Sequence, residues 1–416
     1  MTKHLDPQVL RKDFPTLQRE VHGGKRLVYL DSGASSQTPR SVLEAMDRYY
    51  EQSRSNVHRG VYGLAEEATD MFEGGREAVS RLLGADPRGM VLTKNATEAS
   101  NLMAYAWARR NLGPGDAFLT THMEHHANFV PYRMAADDLG FEVRAIRVTE
   151  DGLLDLDHAA ELLADGKVRL AAFVHVSNVL GTINPVAELT RMVKEAREDA
   201  VVVVDGAQAV PHVPVDVQEL GVDAYYWTGH KMLGPTGIGG IAIRPELAES
   251  MDPFLGGGDM IREVSIERAT WNEIPHKFEA GTPMIAEAAG LAAAVEYLED
   301  LGMETVRAHE VELTEQFLDA VDGIDGVTLY GPRDTAVRGG AISFALRGVH
   351  PHDVGAMLDQ HGVCVRVGHH CAKPLMQHLG VNATVRASLY LYNDVDDIEP
   401  FVDGLNHAID FFRIDR

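Results

Sequence analysis

Short apolar runs rich in β-branched residues alternate with helical patterns over more than half of the chain. They lie at residues 28–30, 90–93, 117–120, 142–148, 169–176, 201–204 and 224–227. Strands that alternate with helices in this way predict a mostly parallel sheet covered by helices on both faces. The run at 201–204 is apolar at every position, which is typical of a strand buried on both sides.

The intervals between these runs have helical periodicity, for example at residues 41–53, 98–111 and 186–198. From residue 285 the pattern changes to two long helices, at 285–301 and 303–322. Short strands at 327–330, 340–345, 363–367 and 384–389 and a final amphipathic helix follow. A chain of 416 residues is long for one core. We therefore predict an α/β fold with a large domain at 20–284 that carries the mostly parallel sheet. Residues 1–19 and 285–416 form a smaller α+β domain.

Composition excludes several classes of function. The formal net charge of -24 argues against a nucleic-acid partner, because phosphate binding needs a basic surface. No apolar stretch approaches the roughly 18 residues of a membrane span, and the N-terminus lacks the apolar core of a signal peptide. The two cysteines, Cys364 and Cys371, are too few for a disulfide framework. We expect a cytoplasmic protein with reduced thiols and no membrane partner.

Two charged residues follow predicted strands. Lys231 ends the segment Thr228-Gly-His-Lys and precedes a glycine-rich turn at 233–240. A lysine there can form a Schiff base when burial or a neighbouring cation lowers its pKa. Asp205 follows the run at 201–204, at the sheet edge where α/β active sites lie. Taken alone, Lys231 is explained as a surface residue and Asp205 as a helix cap. Together they suggest a lysine-bound cofactor whose ring nitrogen pairs with the carboxylate.

Two further segments follow strands of the same predicted sheet. Thr97 begins a predicted helix, whose N-terminal amides and hydroxyl suit a phosphate group, although capping alone explains a threonine there. His125 and His126 follow the strand at 117–120. A flat imidazole can stack on a cofactor ring. A metal site is disfavoured because neighbouring residues in extended chain point in opposite directions.

Arg366-Val-Gly-His-His-Cys371-Ala-Lys places a cysteine in a loop beside two histidines and a lysine. A basic setting favours the thiolate, which is the reactive form. Arg366 and Arg386 offer planar forks for a substrate carboxylate. Cys364 lies within the alternating strand pattern at 363–367, and we expect it to be buried.

These segments together resemble the class V aminotransferase-fold family of pyridoxal-phosphate enzymes, and within it the Suf-type (group II) cysteine desulfurase branch. The resemblance covers nearly the whole chain. The matching segments are Tyr29-Leu-Asp-Ser, His58-Arg-Gly, Met123-Glu-His-His-Ala-Asn, His175-Val-Ser-Asn-Val-Leu-Gly-Thr, Asp205-Gly-Ala-Gln-Ala-Val, Gly229-His-Lys, Gly256-Gly-Gly, Phe278-Glu-Ala-Gly-Thr-Pro and Arg366-Val-Gly-His-His-Cys-Ala. The resemblance implies the fold type I of pyridoxal-phosphate-dependent transferases.

The resemblance also implies roles for individual residues. Lys231 is similar to the Schiff-base lysine, His125 to the ring-stacking residue that handles protons, and Cys371 to the sulfur-accepting nucleophile. The other residues similar to cofactor ligands are Asp205 for the pyridinium nitrogen, Gln208 for the phenolic oxygen, and Thr97, Thr228, His230 and Thr282 for the phosphate. Those similar to substrate-binding or further active-site residues are Asn178, Arg386, Arg366 and Arg59. Position 228 is threonine where this family usually has serine, which keeps the hydroxyl.

The implied activity is conversion of L-cysteine to L-alanine, with sulfur left on Cys371 as a persulfide that feeds iron–sulfur cluster assembly. The short segment around Cys371 implies an acceptor protein, SufE-like or SufU-like. Thr282 and Arg59 resemble elements that complete the site of a second subunit in a homodimer. The alternatives are a selenocysteine lyase, a true aminotransferase, and a non-catalytic scaffold that binds a Suf partner. The resemblance implies pyridoxal phosphate as the cofactor and no metal.

Overall fold

The computed structural model describes residues 5–414. Within these residues the strands, in chain order, are β1 (Glu20–Val21), β2 (Lys25–Arg26), β3 (Val28–Tyr29), β4 (Met90–Thr93), β5 (Ala117–Thr121), β6 (Glu142–Ile146), β7 (Val168–Val174), β8 (Val201–Asp205), β9 (Ala224–Thr228), β10 (Gly239–Ile243), β11 (Ile261–Val264), β12 (Ala269–Trp271), β13 (Val327–Tyr330), β14 (Ala341–Leu346), β15 (Val363–Cys364), β16 (Arg366–Gly368) and β17 (Thr384–Ser388).

The α-helices follow the predicted alternation with the strands. In chain order they are α1 (Pro7–Leu10), α2 (Arg40–Arg48), α3 (Gly63–Leu82), α4 (Ala96–Met103), α5 (Arg109–Asn111), α6 (Val130–Leu139), α7 (Leu156–Leu163), α8 (Val186–Ala196), α9 (Val217–Leu220), α10 (Pro245–Ser250), α11 (Ile285–Leu301), α12 (Met303–Asp322), α13 (Pro351–Gln360), α14 (Lys373–His378) and α15 (Ile398–Phe412). No helix within residues 5–414 is long and apolar enough to cross a membrane.

The large sheet has seven strands in the order β4-β10-β9-β8-β7-β5-β6. All of them run in one direction except β10, which is antiparallel to both of its neighbours. The mostly parallel α/β fold predicted from the alternation of strands and helices is therefore confirmed. Because the other six strands are parallel, their carboxyl ends lie at one edge of the sheet, where α/β proteins build their sites.

The glycine-rich turn predicted at 233–240 is correct only in part: residues 236–237 form a turn, with Gly237 at a φ of 85°, whereas Gly239 and Gly240 begin the strand β10, which the sequence analysis did not predict. A Cβ atom on Gly240 would lie 2.7 Å from the Trp227 ring and from the carbonyl oxygen of Val91. A Cβ atom on Gly239 would lie 2.8 Å from the carbonyl oxygen of Trp227. Gly239 and Gly240 are therefore needed for the close approach of the strands.

The C-terminal part forms a second sheet of four strands in the order β13-β14-β17-β16. The predicted strand at 363–367 is two strands, because β15 pairs with β3 whereas β16 pairs with β17. The prediction for residues 28–30 was wrong in its partner: β3 lies beside β15 and not in the large sheet. Its residues Val28 and Leu30 are packed in the core of the four-stranded sheet.

Apolar side chains cover both faces of the large sheet, as the continuous apolar strands require. Along β8, Val202 and Val204 pack into one cluster while Val201 and Val203 pack into the other. A third cluster lies between the small sheet and the helices α12, α13 and α15, and includes Phe317 and Phe401. The division at residues 20 and 284 stays a prediction. The active-site cavity described next takes residues from both sheets.

Candidate active site

A cavity of about 180 Å³ lies at the carboxyl edge of the large sheet. Segments of the small sheet, near β16 and β17, form its other wall. The cavity brings together most of the residues that the sequence singled out. Those that line it are Thr97, His125, Asn178, Asp205, Gln208, Thr228, His230, Lys231, Arg366, Cys371 and Arg386.

Strand ends position the wall that belongs to the large sheet. Asp205 is the last residue of β8, and Thr228 is the last residue of β9. Lys231 follows Thr228 by a single 3-10 turn. A residue at the end of a buried strand has little freedom, because the strand is fixed by hydrogen bonds and packing on both sides. The site is therefore held at a defined position by the sheet.

Lys231 and Asp205 are electrostatically coupled. Burial lowers the pKa of Lys231 to about 8, against the opposing effect of the Asp205 carboxylate. Burial also raises the pKa of Asp205, while the main-chain N–H of Ala207 and the charge of Lys231 favour its ionised form. A lysine with this pKa is partly neutral at physiological pH, so its amine can act as a nucleophile or a base.

His125 is a neutral imidazole. Burial lowers its pKa to about 3, and the charge of Lys231 acts in the same direction. Its Nδ1 accepts a hydrogen bond from the main-chain N–H of Ala127, at 3.1 Å, so the proton of the neutral ring is on Nε2. The ring of the next residue, His126, lies with its centroid 6.4 Å from that of His125, at an angle of 45°.

Glu124, which the sequence reading did not single out, holds the segment before His125. Burial raises its pKa to about 8. Its oxygens lie 2.6 Å from the Thr121 hydroxyl and 2.6 Å from the Asn128 amide nitrogen, and the main-chain N–H of Val174 donates to it. Glu124 lies in the polar segment that follows β5, where no local pattern marks it as buried; in the structure it is buried, and a buried carboxylate is costly unless it is bonded. Glu124 thus ties this loop to the neighbouring strand β7.

The helix α4 begins at Ala96, and its capping residue is Asn95, whose Oδ1 accepts from the N–H of Glu98 at 3.0 Å. Thr97 is therefore not the cap; it lies in the first turn of α4 and lines the cavity. The predicted start, with Thr97 as the cap of a helix at 98–111, was two residues late, and capping does not explain the threonine. Thr228 presents a buried Oγ1 that has no hydrogen-bond partner within residues 5–414. Two hydroxyls and a helix N-terminus thus form a cradle suited to a phosphate group.

Arg386 and Asn178 face the cavity from the small sheet and from the loop after β7. Arg386 is buried, and its Nη1 donates to the carbonyl oxygen of Asn178 at 2.7 Å. Gln208 is held by a bond from its Nε2 to the carbonyl oxygen of Gly33, at 2.6 Å. The Oδ1 of Asn178 is buried without a partner among the described residues. The unpartnered Oδ1 of Asn178 and the guanidinium of Arg386 lie on the same wall of the cavity, and together they can bind an amino acid.

Asp31 is a second residue that the sequence reading missed as a site residue, although it lies within the quoted segment at 29–32. Its Oδ1 lies 3.3 Å from Nη2 of Arg386, and its Oδ2 lies 3.7 Å from Nη1 of Arg366. No sequence pattern links these positions. The pairing of β3 with β15, and the bridge between Asp31 and Ser388, bring the carboxylate to the arginines.

Cys371 lies in a tight turn at the cavity wall. His370 and Cys371 have φ values of 50° and 54°, in the left-handed region that non-glycine residues rarely adopt. The main-chain N–H of Cys371 donates to Nδ1 of His369 at 3.1 Å, and its carbonyl oxygen accepts from the N–H of His126 at 2.7 Å. The N–H of Lys373 donates to Nε2 of His126 at 3.1 Å. The thiol is thus on a turn whose main chain is hydrogen-bonded to His369 and His126.

The carbonyl oxygen of His370, next to the nucleophile, accepts from Nδ2 of Asn178 at 2.8 Å. The Nε2 atom of the His370 ring is 2.9 Å from the hydroxyl oxygen of Thr384 on β17. These contacts join the turn to both walls of the cavity. Cys364 is half-buried rather than buried, and its pKa is raised by burial. It does not line the cavity.

Arg59 and Thr282 do not line the cavity. Arg59 is exposed and pairs with Asp259 at 3.0 Å, and Thr282 is exposed at the edge of a separate pocket. Beside Arg59, the groups of His58, Glu73 and His276 come within 4.8 Å of one another. They are the described residues close enough to hold a metal ion, and Glu73 there is already bonded to His58 and paired with Arg76. The cavity around Lys231 contains no such group of described residues.

The cavity fits pyridoxal phosphate. The buried carboxylate of Asp205 matches a pyridinium nitrogen, the cradle at Thr97 and Thr228 matches a phosphate, and Lys231 matches the aldehyde carbon. The unpartnered Thr228 hydroxyl is costly when it is left without a ligand, because a buried polar atom needs a bond. The donor set therefore supports the cofactor that the resemblance implied.

Comparison with known proteins agrees with this reading. The model of the family "Aminotransferase class-V" matches residues 28–401. A probable cysteine desulfurase of Halobacterium salinarum is 48% identical over 409 residues, which cover 98% of each chain. A cysteine desulfurase of Haloferax volcanii is 45% identical over 421 residues, again 98% of each chain. The apo structure of a cysteine desulfurase from Thermococcus onnurineus superposes with a TM-score of 0.93 at 39% identity, covering 99% of this chain and 100% of that one. The chain therefore belongs to the class V aminotransferase family, whose cofactor is pyridoxal phosphate.

Proposed function

We propose that this enzyme is a cysteine desulfurase that converts L-cysteine to L-alanine and takes the sulfur onto Cys371. One observation carries the proposal: a cysteine and a buried lysine of lowered pKa line the same small cavity, together with two arginines. An aminotransferase needs no cysteine at that place. Relatives that are named cysteine desulfurases and align with 98% of this chain support the same activity.

The proposed reaction balances without an external oxidant or reductant. The C–S bond of L-cysteine breaks, and its electron pair stays on the β-carbon, which takes up a proton. The sulfur atom forms its new bond to the thiolate of Cys371. L-Cysteine and the Cys371 thiol thus give L-alanine and a Cys371 persulfide.

Some residues of the cavity transfer protons, and others bind the cofactor. When bound, pyridoxal phosphate supplies an electron sink for the negative charge that develops on the substrate. Lys231 takes the α-proton of the substrate at Nζ, because its lowered pKa leaves part of the amine neutral. Asp205 would hold the ring nitrogen and Gln208 the phenolic oxygen of the cofactor. His125 would stack on its ring, and Thr97, Thr228 and His230 would hold its phosphate.

Substrate binding is assigned to the wall formed by Arg386 and Asn178. The buried Arg386 binds the substrate carboxylate, and its bond to the main chain of Asn178 fixes the direction of the guanidinium. Arg366 is half-exposed and lies at the cavity entrance, with 49% of its side chain accessible. A carboxylate that enters the cavity therefore meets one cation at the mouth and a second inside.

Thiol positioning supports the role of Cys371. Two residues in the left-handed region cost roughly 1–2 kcal/mol each. Each hydrogen bond that holds the turn contributes about 1 kcal/mol, and the contacts of His126, His369 and Asn178 together offset this cost. The turn is thus held in a strained form that keeps Cys371 at the cavity.

We further assign the enzyme to the Suf-type branch, in which the persulfide passes to an acceptor protein and on to iron–sulfur cluster assembly. Cys371 is only half-buried but sits in a short, bonded turn. A thiol so fixed cannot swing out to a distant acceptor, so the acceptor has to bring its own thiol or zinc-bound cysteine to the entrance.

A homodimer accounts for the two predicted residues outside the cavity. Arg59 and Thr282 are exposed polar residues, and they line two adjacent pockets outside the active-site cavity that share Phe72, Glu279, Gly281 and Pro283. In a homodimer they would reach the partner's cavity, Thr282 toward the phosphate and Arg59 toward the substrate. An Arg59→Ala variant tests this: mixed with Lys231→Ala protein, it should regain activity only if subunits share sites.

The test of the function is sulfide release from L-cysteine by the cofactor-loaded enzyme, with alanine measured in parallel. We expect equal amounts of both products under a reductant, and stimulation by a SufE-like or SufU-like acceptor. The keto acid of L-cysteine, 3-mercaptopyruvate, formed together with amine-form cofactor and with no sulfide or alanine, would indicate an aminotransferase instead. Faster turnover of L-selenocysteine than of L-cysteine, unaffected by Cys371→Ala, would indicate a selenocysteine lyase.

A further inference from the structure

Residues 121–128 lead from the end of β5 toward α6 and contain two adjacent histidines. Glu124 lies within this segment and is only 2% exposed. Its Oε1 lies 2.6 Å from the hydroxyl of Thr121, and its Oε2 lies 2.6 Å from the amide nitrogen of Asn128. One buried side chain thus joins the first and the last residue of the segment.

A third hydrogen bond of Glu124 fixes the segment to the large sheet. The main-chain N–H of Val174, the last residue of β7, donates to Oε1 at 3.1 Å. The strand β7 is the direct neighbour of β5, and Val174 itself lines the cavity. The segment is therefore held at a defined position relative to the strand ends that build the site.

The ring of His125 takes its orientation from this segment. Its Nδ1 accepts from the main-chain N–H of Ala127 at 3.1 Å. Ala127 belongs to the 3-10 turn His126–Asn128, and the last residue of that turn is the one that Glu124 bonds. A shift of the turn would therefore rotate the imidazole that is assigned to the cofactor ring.

The same turn also holds the proposed nucleophile. The main-chain N–H of His126 donates to the carbonyl oxygen of Cys371 at 2.7 Å. The Nε2 of His126 accepts from the main-chain N–H of Lys373 at 3.1 Å. The turn that carries the thiol is thus bonded to a residue inside the segment that Glu124 closes.

We propose that Glu124 is a positioning residue for both the cofactor side and the cysteine side of the site, which its three hydrogen bonds hold in register. This inference rests on the proposed function, since it takes His125 as the ring-stacking residue and Cys371 as the nucleophile. Glu124 itself does not line the cavity, so it acts through the main chain of residues 125–128.

The reach of the Glu124 side chain matters here more than its charge. Burial raises the pKa of Glu124 to about 8, so the protonated form predominates at neutral pH and a glutamine resembles it closely. The amide oxygen of Asn128 has no partner among the described residues, so a rotated Asn128 amide can accept from a glutamine N–H. In Glu124→Asp the side chain is one methylene shorter, so at least part of these bonds is lost.

The test compares Glu124→Asp with Glu124→Gln in the cofactor-loaded enzyme. We expect kcat of Glu124→Asp to fall by about tenfold to a hundredfold with little change in KM, because small displacements of reacting groups cost rates of this order. The circular dichroism of the bound cofactor should decrease in the same variant. Alkylation of Cys371 should accelerate relative to that of Cys364 in the same molecule, as measured by mass spectrometry. Glu124→Gln should keep all of these wild-type values.

Glu310→Asp is the matched control, because Glu310 is also fully buried and bonded, to Nδ1 of His212 at 2.8 Å, but does not line the cavity. It should lower the midpoint of thermal unfolding while the cofactor dichroism and the alkylation ratio stay unchanged. If Glu124→Asp does not fold, Thr121→Val serves instead. It removes one of the bonds to Glu124 and should move the same readouts in the same direction.

Equal values for Glu124→Asp and Glu124→Gln overturn the positioning role. So does a loss in Glu124→Gln that Glu124→Asp lacks, since the acid group and not its reach would then matter. Loss of the proposed function would look different. In that case the wild-type enzyme would release no sulfide from L-cysteine, whereas cofactor dichroism and cysteine alkylation, which need no substrate, would still separate the two variants.

Discussion

The two nucleophilic side chains of the cavity, Lys231 and Cys371, are positioned in opposite ways. Lys231 follows β9, so the seven-stranded sheet and its two apolar layers fix its position. Cys371 lies in a left-handed turn beyond β16, where imidazoles and an amide hold the main chain. Burial lowers the pKa of Lys231, whereas local hydrogen bonds fix the position of Cys371.

The two residues are therefore expected to be sensitive to different kinds of substitution nearby. A packed strand end tolerates changes in its surroundings, because many contacts fix it together. A turn held by a few bonds depends on each of them. We therefore expect changes near Lys231 to act through charge, and changes near Cys371 to act through geometry.

The largest effect is expected for Lys231→Ala. The variant has no amine to bond the cofactor or to move the α-proton, so sulfide release should fall by on the order of a thousandfold or more. Absorbance spectra and sulfide assays measure both losses. A variant that kept the spectrum of lysine-bound cofactor would contradict the assignment.

Cys371→Ala should separate the two nucleophiles. Cofactor binding should persist, because Lys231 is untouched, while sulfide release from L-cysteine should fall by on the order of a hundredfold or more. Cys364→Ala is the matched control, since Cys364 does not line the cavity, and should keep its activity. Full activity of Cys371→Ala would remove the cysteine from the mechanism.

The pKa of Lys231 predicts a pH dependence for cofactor attachment to the apoenzyme. Only the neutral amine attacks, so with a pKa of about 8 the rate should rise about tenfold per pH unit below 8 and level off above it. Asp205 raises this pKa, so Asp205→Asn should move the profile to lower pH. Stopped-flow absorbance between pH 6 and pH 10 tests both, and a profile unmoved by the variant would argue against the coupling.

The smallest effect is expected at His126, which accepts the N–H of Lys373 behind the Cys371 turn. His126→Ala removes one hydrogen bond, so kcat should fall about threefold to tenfold with little change in KM. His126→Gln keeps an acceptor and should recover most of the rate. Equal rates for the two variants would mean that this bond does not position the thiol.

Much of the site was predictable because its residues follow strands. Asp205, Thr228 and Lys231 come directly after apolar runs, and parallel strands must bring such residues to one edge. The segment around Cys371 was recognisable by its composition. Asp31 was missed as a site residue because its arginine partners are distant in sequence, and Glu124 was missed because its burial and its bond from the main-chain N–H of Val174 depend on the fold. The partner of residues 28–30 was missed because a short strand carries no mark of which sheet it joins.

The sequence by itself determined the α/β class, the position of most strands and helices along the chain, and which residue types are available for chemistry. Period-two and helical patterns are local, so they can be read without the fold. The tertiary structure decided the rest: the antiparallel β10 with its glycines, the left-handed turn at Cys371, and the lowered pKa of Lys231. These features depend on which segments pack against one another and on how far packing excludes water from a side chain. A local sequence pattern carries no information on either.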